Sequence, residues 1–403
     1  MFQLWRKDKM WHPHPLKERY DVVIIGAGVH GLATGYYLGK HGPTSVAVLD
    51  KGYLGGGNSG RNTAILRANY RTPEAIPFYR ESLRLYEELS QELRYNVLFS
   101  QQGHLTLAHT DTSVEGLRLR AETNTLLGVD CRLIGPAEIK RLVPPIDIGT
   151  DTHAPIQAAL YHPPGGIIRH DAVVWGYARG AERLGIEVHP HTEVQAIETT
   201  NGHVVGVETN RGRIRTDTVV NATSGWCSTI AAMVGLELPI VSHPLQACVT
   251  ERLKPFLDKV IVSSNLHVYV NQTDRGELVI GAEIDPYASY NTASTLPALE
   301  MWAAHLLELF PCLAEVRVLR QWSGVCDMTP DFSPIMGRVA TVEGFLLDVG
   351  WGTYGFKAGP VSGKTMAELI VTGKTPHLIE PFALSRFYED RLVGEKAAAA
   401  VSH

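Results

Sequence analysis

The chain has 403 residues, 44% hydrophobic and 20% charged, with 38 Gly, 23 Pro and 5 Cys. This length supports a sizeable core in two or three domains, or one large two-part enzyme fold, and excludes a disordered chain, a collagen-like repeat and a small disulfide scaffold. A formal net charge of −5 gives no electrostatic reason to expect nucleic acid or an anionic membrane as partner, which leaves a small-molecule enzyme or enzyme subunit as the default.

The polar segment Met1 to Met10 does not read as a signal peptide, and the most apolar later stretch, Trp226 to Val241, is broken by Glu237 and Pro239. A soluble, cytoplasmic protein is expected. After Trp11-His-Pro-His-Pro15 comes a β-branched run, Tyr20-Asp-Val-Val-Ile-Ile25, then Gly26-Ala-Gly-Val-His-Gly31, a helical segment from Leu32 to His41, and Ser45-Val-Ala-Val-Leu49 ending in Asp50. This strand–Gly-turn–helix–strand order is the context a dinucleotide fingerprint requires. Gly26, Gly28 and Gly31 permit a tight turn, close approach to a pyrophosphate and close helix packing, and the helix N-terminus favours the phosphate charge. Asp50 stands where a carboxylate accepts hydrogen bonds from ribose hydroxyls, and its charge disfavours NADP.

A Gly/Ser/Asn-rich loop, Lys51 to Asn62, leads into Thr63-Ala-Ile-Leu-Arg67-Ala-Asn-Tyr70. Helical spacing is read at Pro77 to Gln91 and Ser113 to Leu127, with a strand at Gly103 to Ala108 between them. Next come a helix opening at Asp171, a plausible N-cap, and running to Leu184, and strands at Glu187 to His191, Thr192 to Thr199 and Val204 to Thr209. Asp217-Thr-Val-Val-Asn-Ala-Thr-Ser-Gly225 gives another strand running into small residues. Pro239 to Trp322 is richer in alternating β patterns, with one helix at Leu296 to Leu309. The chain then returns to a strand, Gly344 to Gly350, a Gly-rich turn from Trp351 to Lys357, and a helix from Val361 to Thr372.

FAD or NAD fits the fingerprint, and three features favour FAD: the loop into Ser59-Gly-Arg-Asn-Thr63, the small-residue strand at 218–225, and the second Gly-rich helix start at 350–359. Cys131, Cys227, Cys248, Cys312 and Cys326 are odd in number and lack a CxxC pair, so they read as buried thiols in a reducing compartment. His189 and His191 would share a strand face, but no further ligand is evident and no metal site is expected. Arg67 is suited to hold a carboxylate bidentately, with Lys357 as a second cation in a Gly-rich turn. His243, His267 and Tyr269 are weaker pocket candidates.

Thr63-Ala-Ile-Leu-Arg-Ala-Asn-Tyr70, Asp327-Met-Thr-Pro-Asp331 and Trp351-Gly-Thr-Tyr-Gly-Phe-Lys357 resemble three motifs of the sarcosine-oxidase group of amine-oxidising flavoproteins, over about residues 20 to 385. Arg169-His170-Asp171 and Pro330 to Gly337 agree with the β-subunit branch of heterotetrameric members. The resemblance implies a mixed α/β fold in which a glutathione-reductase-like FAD-binding domain (20–90, 150–225 and 325–390) is interleaved with a β-rich substrate domain (91–149 and 226–324), with terminal extensions at 1–19 and 391–403. It implies FAD contacts at Gly26, Gly28, His30 and Gly31, at Asp50, Lys51, Ser59, Arg61 and Asn62, at Val194, and at Gly352, Gly355, Phe356 and Lys357. Single-chain relatives attach FAD through a cysteine seven residues before the Asp of the Thr-Pro-Asp motif. Here that position is Gly324, and Cys326 is out of register, so FAD should be noncovalent.

The same resemblance implies an FMN covalent to His170, with Arg169 and Arg320 as further FMN contacts, and a carboxylate clamp of Arg67 and Lys357 for sarcosine. The implied reaction is oxidative demethylation to glycine, with electrons passing from FAD to FMN to oxygen, giving hydrogen peroxide, and the one-carbon unit leaving as formaldehyde or methylenetetrahydrofolate. Implied partners are α, γ and δ subunits, one of which binds tetrahydrofolate. A β subunit of an FAD-dependent amino-acid dehydrogenase, such as L-proline dehydrogenase, shares the same motifs, and a flavin-binding structural subunit is a further alternative.

Overall fold

A computed structural model describes residues 11–42, 45–149 and 152–395; the polar lead at 1–10 and the Ala-rich tail at 397–401 lie outside the described residues. The β-branched runs become a nine-stranded sheet. At its centre Val22–Ile25 pairs in parallel with Val46–Leu49 on one side and Val219–Asn221 on the other, flanked by Glu187–His189 and Val342–Val349. These strands are almost fully buried, as near-continuous apolar runs in a parallel sheet should be. The chain leaves the sheet after Ile25, between a neighbour met early in sequence and one met late, which is a topological switch point.

Helix Val29–His41 packs between His170–Arg183 and Gly355–Thr372 and joins them in the main hydrophobic core. Small residues set that spacing: a Cβ on Gly359 would lie 2.4 Å from Val29 Cγ2, and one on Gly363 2.4 Å from Ala33 Cβ. The last helix begins at Gly355 rather than at Val361, so Lys357 stands in its first turn and not in a Gly-rich loop. Pro360 lies inside it and has no N–H for the Phe356 carbonyl; the Tyr86 hydroxyl donates to that carbonyl instead, at 2.6 Å.

An eight-stranded sheet runs in the order Val318–Met328, Val241–Arg252, Glu277–Ile284, Val268–Gln272, Val260–Ser263, His104–Ala108, Ala158–His162 and Arg132–Ile134. Ala158–His162 lies within 150–225 in sequence but pairs in this second sheet, so the return to the first sheet comes after residue 162. Along His104–Ala108, Leu105 and Leu107 enter the core with Trp302 and Leu306, while His104 and Thr106 face a large cavity.

Four cysteines are buried, but Cys312 is exposed, in the turn Pro311–Leu313. Helix His170–Arg183 starts one residue before Asp171, so its N-cap is Arg169. Strand Glu187–His189 ends before His191, which is exposed with φ 54°, so the two imidazoles do not share a strand face; His189 is buried against Tyr20. Among the described residues no cluster suits a metal ion, and no helix is long and apolar enough to cross a membrane.

Asp331 of the Thr-Pro-Asp motif works structurally. It receives two hydrogen bonds from Arg386, at 2.8 and 2.9 Å, and one from the Val393 amide, while Arg386 also donates to the carbonyls of Phe382 and Ser333. Both side chains are almost completely buried. Asp331→Ala would leave the guanidinium uncompensated and should lower folding stability by about 3–5 kcal/mol. Denaturant unfolding checks this; an unchanged midpoint would mean the pair contributes nothing.

Candidate active site

The cavity between the two sheets encloses about 560 Å³, a size typical of small-molecule sites. At one end is the fingerprint turn. Gly26 has φ +113°, and a Cβ there would sit 2.4 Å from the Ala222 carbonyl oxygen; a Cβ on Gly31 would sit 1.9 Å from the Gly26 oxygen. Asp50 accepts from the Ala27 and Gly52 amides, both at 2.8 Å, so it braces the turn while lining the cavity. Burial raises its pKa against those two hydrogen bonds. Ser59 accepts from the Val29 amide at 2.9 Å, using its oxygen on the helix N-terminus.

The loop after Asp50 is fixed to the second sheet. Asn58 accepts from the Val325 amide at 2.9 Å, and the Arg61 carbonyl accepts from Trp322 Nε1 at 2.7 Å. The cavity wall contains thirteen of the fourteen expected FAD contacts, from Gly26, Gly28 and His30 through Asp50, Lys51, Ser59, Arg61, Asn62 and Val194 to Gly352, Gly355, Phe356 and Lys357. Gly31 packs behind the wall. Gly324 and Cys326 also line it, but burial, then Asp327, pushes the Cys326 thiol far above its ordinary pKa, which makes it a poor nucleophile.

At the other end are cations. Arg67 is buried, with Nη1 anchored on the Asn69 carbonyl at 2.9 Å and its guanidinium 4.4 Å from the Tyr70 ring centre and 5.5 Å from that of Tyr354. Lys357 Nζ reaches the Thr353 carbonyl at 3.4 Å; burial, then the charge of Arg67, pushes its pKa well below the usual lysine value.

Several residues here were not singled out in the sequence. Arg120 of helix Asp111–Leu126 donates to the Asn69 carbonyl, and burial, then Arg67 and Arg71, pushes it down to about 9. Its only sequence signal was its place on the buried stripe Leu117, Ala121, Asn124. His104 is buried with both ring nitrogens unpartnered, and burial, then Arg67, holds its pKa well below 6.5. Glu395 brings a buried carboxylate from the C-terminal segment and accepts from the Arg71 and Thr72 amides. Tyr269 lines the cavity; His243, bonded to the Asp285 carbonyl, and His267 do not.

Residues 21–369 match the model of the FAD dependent oxidoreductases. The chain belongs to that family. It is similar along nearly its whole length to sarcosine oxidase β subunits: 44% identical to that of Rhodobacter capsulatus, over 98% of this chain and 95% of that one, and 44% identical to that of an Arthrobacter species, over 98% and 97%. Among solved structures, L-proline dehydrogenase from P. horikoshii superposes with a TM-score of 0.88 at 29% identity, over 94% of this chain and all of that one. This member of the family is thus a flavoprotein oxidoreductase that uses FAD.

The residues present fit that cofactor. Two helix N-termini face the cavity, glycines stand where side chains would collide, and the Asp50 carboxylate keeps acceptor capacity beyond its two amide bonds. Arg169, His170 and Arg320 do not line this cavity. Arg169 is paired with Asp171 at 3.0 Å, His170 is half-buried at the helix start with its pKa lowered mainly by burial, and Arg320 is exposed near the start of Val318–Met328.

The depressed Lys357 pKa gives a sign-defined test. A carboxylate bound beside it favours the ammonium and raises that pKa, so between the free and bound values binding takes up a proton, and affinity falls as pH rises through the window. Calorimetry with acetate in buffers of different ionisation heat should show uptake approaching one proton per site, lost in Lys357→Met. Equal heats in all buffers for the unsubstituted protein would refute it.

Proposed function

We propose that this chain is the catalytic flavoprotein subunit of a sarcosine oxidase, working with α, γ and δ subunits. The observation that carries the reading is the convergence of Arg67, Arg120 and Lys357 with an uncharged His104 at one end of a cavity suited to FAD. Such a site suits one small carboxylate and disfavours a second positive charge. FAD, when bound, would supply the two-electron acceptor; His170, at the start of its helix, would hold FMN, which would supply the outlet to oxygen with hydrogen peroxide as product.

Asn69 fixes one edge of the Arg67 fork, so its other donors can be aimed at the substrate carboxylate. Lys357 adds charge from the helix's first turn. The same cations disfavour the ammonium form of the bound amino acid, and loss of hydride from carbon requires the neutral amine with its lone pair available. Selection for the carboxylate and deprotonation of the amine therefore follow from one set of charges. Water hydrolyses the imine product to glycine and formaldehyde, unless tetrahydrofolate on a partner subunit takes up the one-carbon unit.

The likeness to L-proline dehydrogenase favours a second reading, a dehydrogenase of a cyclic secondary amino acid whose electrons go to another carrier. Anaerobic reduction with sarcosine and with proline, followed by peroxide yield in air, separates the two.

Arg67→Met should weaken binding of the reducing amino acid by about 2–5 kcal/mol, roughly 30-fold to a few thousandfold in Kd. Stopped-flow reduction of the holoenzyme measures this, and unchanged affinity and rate would remove Arg67 from the clamp. Acid precipitation should leave one flavin in the pellet and release one. His170→Ala should empty the pellet of flavin while FAD remains in the supernatant; release of all flavin from the unsubstituted protein would end the His170 assignment.

A further inference from the structure

His30, inside the fingerprint, is tied at both ring nitrogens. Nε2 lies 2.8 Å from the carbonyl oxygen of Gly355, the first residue of the last helix, and Nδ1 lies 2.9 Å from Ser362 Oγ on the same helix. Ser362 Oγ lies 2.8 and 2.7 Å from the two carboxylate oxygens of Asp348, which also accepts from Trp351 Nε1 at 3.1 Å. His30 Nδ1 is 3.4 Å from Asp348 Oδ1, and the His30 ring lies over Trp351 with centroids 4.4 Å apart. Asp348 and Ser362 are fully buried, whereas His30 keeps 12% of its side chain exposed and lines the cavity.

Counting donors decides the protonation. A carbonyl only accepts, so Nε2 carries hydrogen. Ser362 has one hydrogen, and an ionised Asp348 takes it. Nδ1 must then bring its own, which makes the ring an imidazolium. The alternative places the proton on Asp348 and reverses the Ser362 bond. A second donor, Trp351, already points at Asp348 and favours its ionised form. Asp327, fully buried and bonded to the Gly350 amide, is the other acidic group facing this corner. Two buried carboxylates thus lie behind His30.

We propose that Asp348, acting through Ser362, holds His30 as an imidazolium at the cavity wall where two helix N-termini meet, and that this charge makes the bound FAD easier to reduce. A fixed cation stabilises the added negative charge of the reduced cofactor with no reorganisation. His30 supplies the charge; Ser362 and Asp348 are positioning residues. The inference rests on FAD alone and holds whichever amine is oxidised.

The test is the two-electron midpoint potential of FAD in the purified holoenzyme. His30→Gln keeps a donor for the Gly355 carbonyl but loses the charge and the second donor to Ser362, and should lower the equilibrium constant for reduction about tenfold, near 30 mV for two electrons. Asp348→Asn should produce a similar fall, and the double variant no further one, because both remove the same ion pair. A purely structural role would weaken FAD retention or stability and leave the potential of the bound cofactor unmoved, and unchanged potentials would overturn the proposal. Should His30→Gln fail to retain FAD, ¹⁵N correlation spectra of the unsubstituted protein decide instead. Both His30 ring nitrogens should be protonated at pH 7, and an unprotonated Nδ1 would overturn it.

Discussion

Close approach of backbone to backbone around the first strand is the constraint on which the rest of the structure depends. Gly31 must lie against the Gly26 carbonyl, Gly26 against Ala222, and Gly359 and Gly363 against Val29 and Ala33. Interiors packed like organic crystals have no slack to absorb an added methyl at such distances. These contacts put two helix N-termini, from residues more than 300 apart in sequence, on one wall of one cavity. The same contacts bring Asp50, Ser59 and His30 to that wall, each fixed by hydrogen bonds to backbone or to a buried neighbour.

The dinucleotide end was legible because its signals are local. A β-branched run, three glycines and an acid closing the next strand carry their meaning within thirty residues. The start of the last helix was not. Glycines and Pro360 argue against a helix, and only the Tyr86 hydroxyl, offered to the carbonyl that proline leaves without its usual donor, shows how the helix continues through it. Asp171 failed as an N-cap for a related reason: its neighbour Arg169 takes the non-helical position and pairs with it, and that exchange is set by tertiary packing.

The cationic end of the cavity was legible in two residues of its charged set. Arg67 and Lys357 stand in recognisable motifs, whereas Arg120 and His104 reach the cavity from a helix and a strand whose patterns show only a buried stripe and an ordinary strand. Convergence of side chains from three distant segments leaves little local trace. His170 and Arg320 differ again, because neither faces the cavity.

The two ends of the cavity treat charge in opposite ways, and this asymmetry links binding to chemistry. Around the fingerprint, positive potential comes from helix ends and from the proposed imidazolium of His30, paired with Asp348. Around Arg67, several cations are buried together with ring faces, the Asn69 carbonyl and Glu395 as partial compensation. Desolvation pushes Lys357 and Arg120 toward their neutral forms, so this end is under strain until an anion arrives. A carboxylate relieves that strain, while an ammonium group on the same ligand restores it. On the proposed reading, an amino acid binds most favourably once its nitrogen has lost a proton, the form from which its carbon can give up hydride.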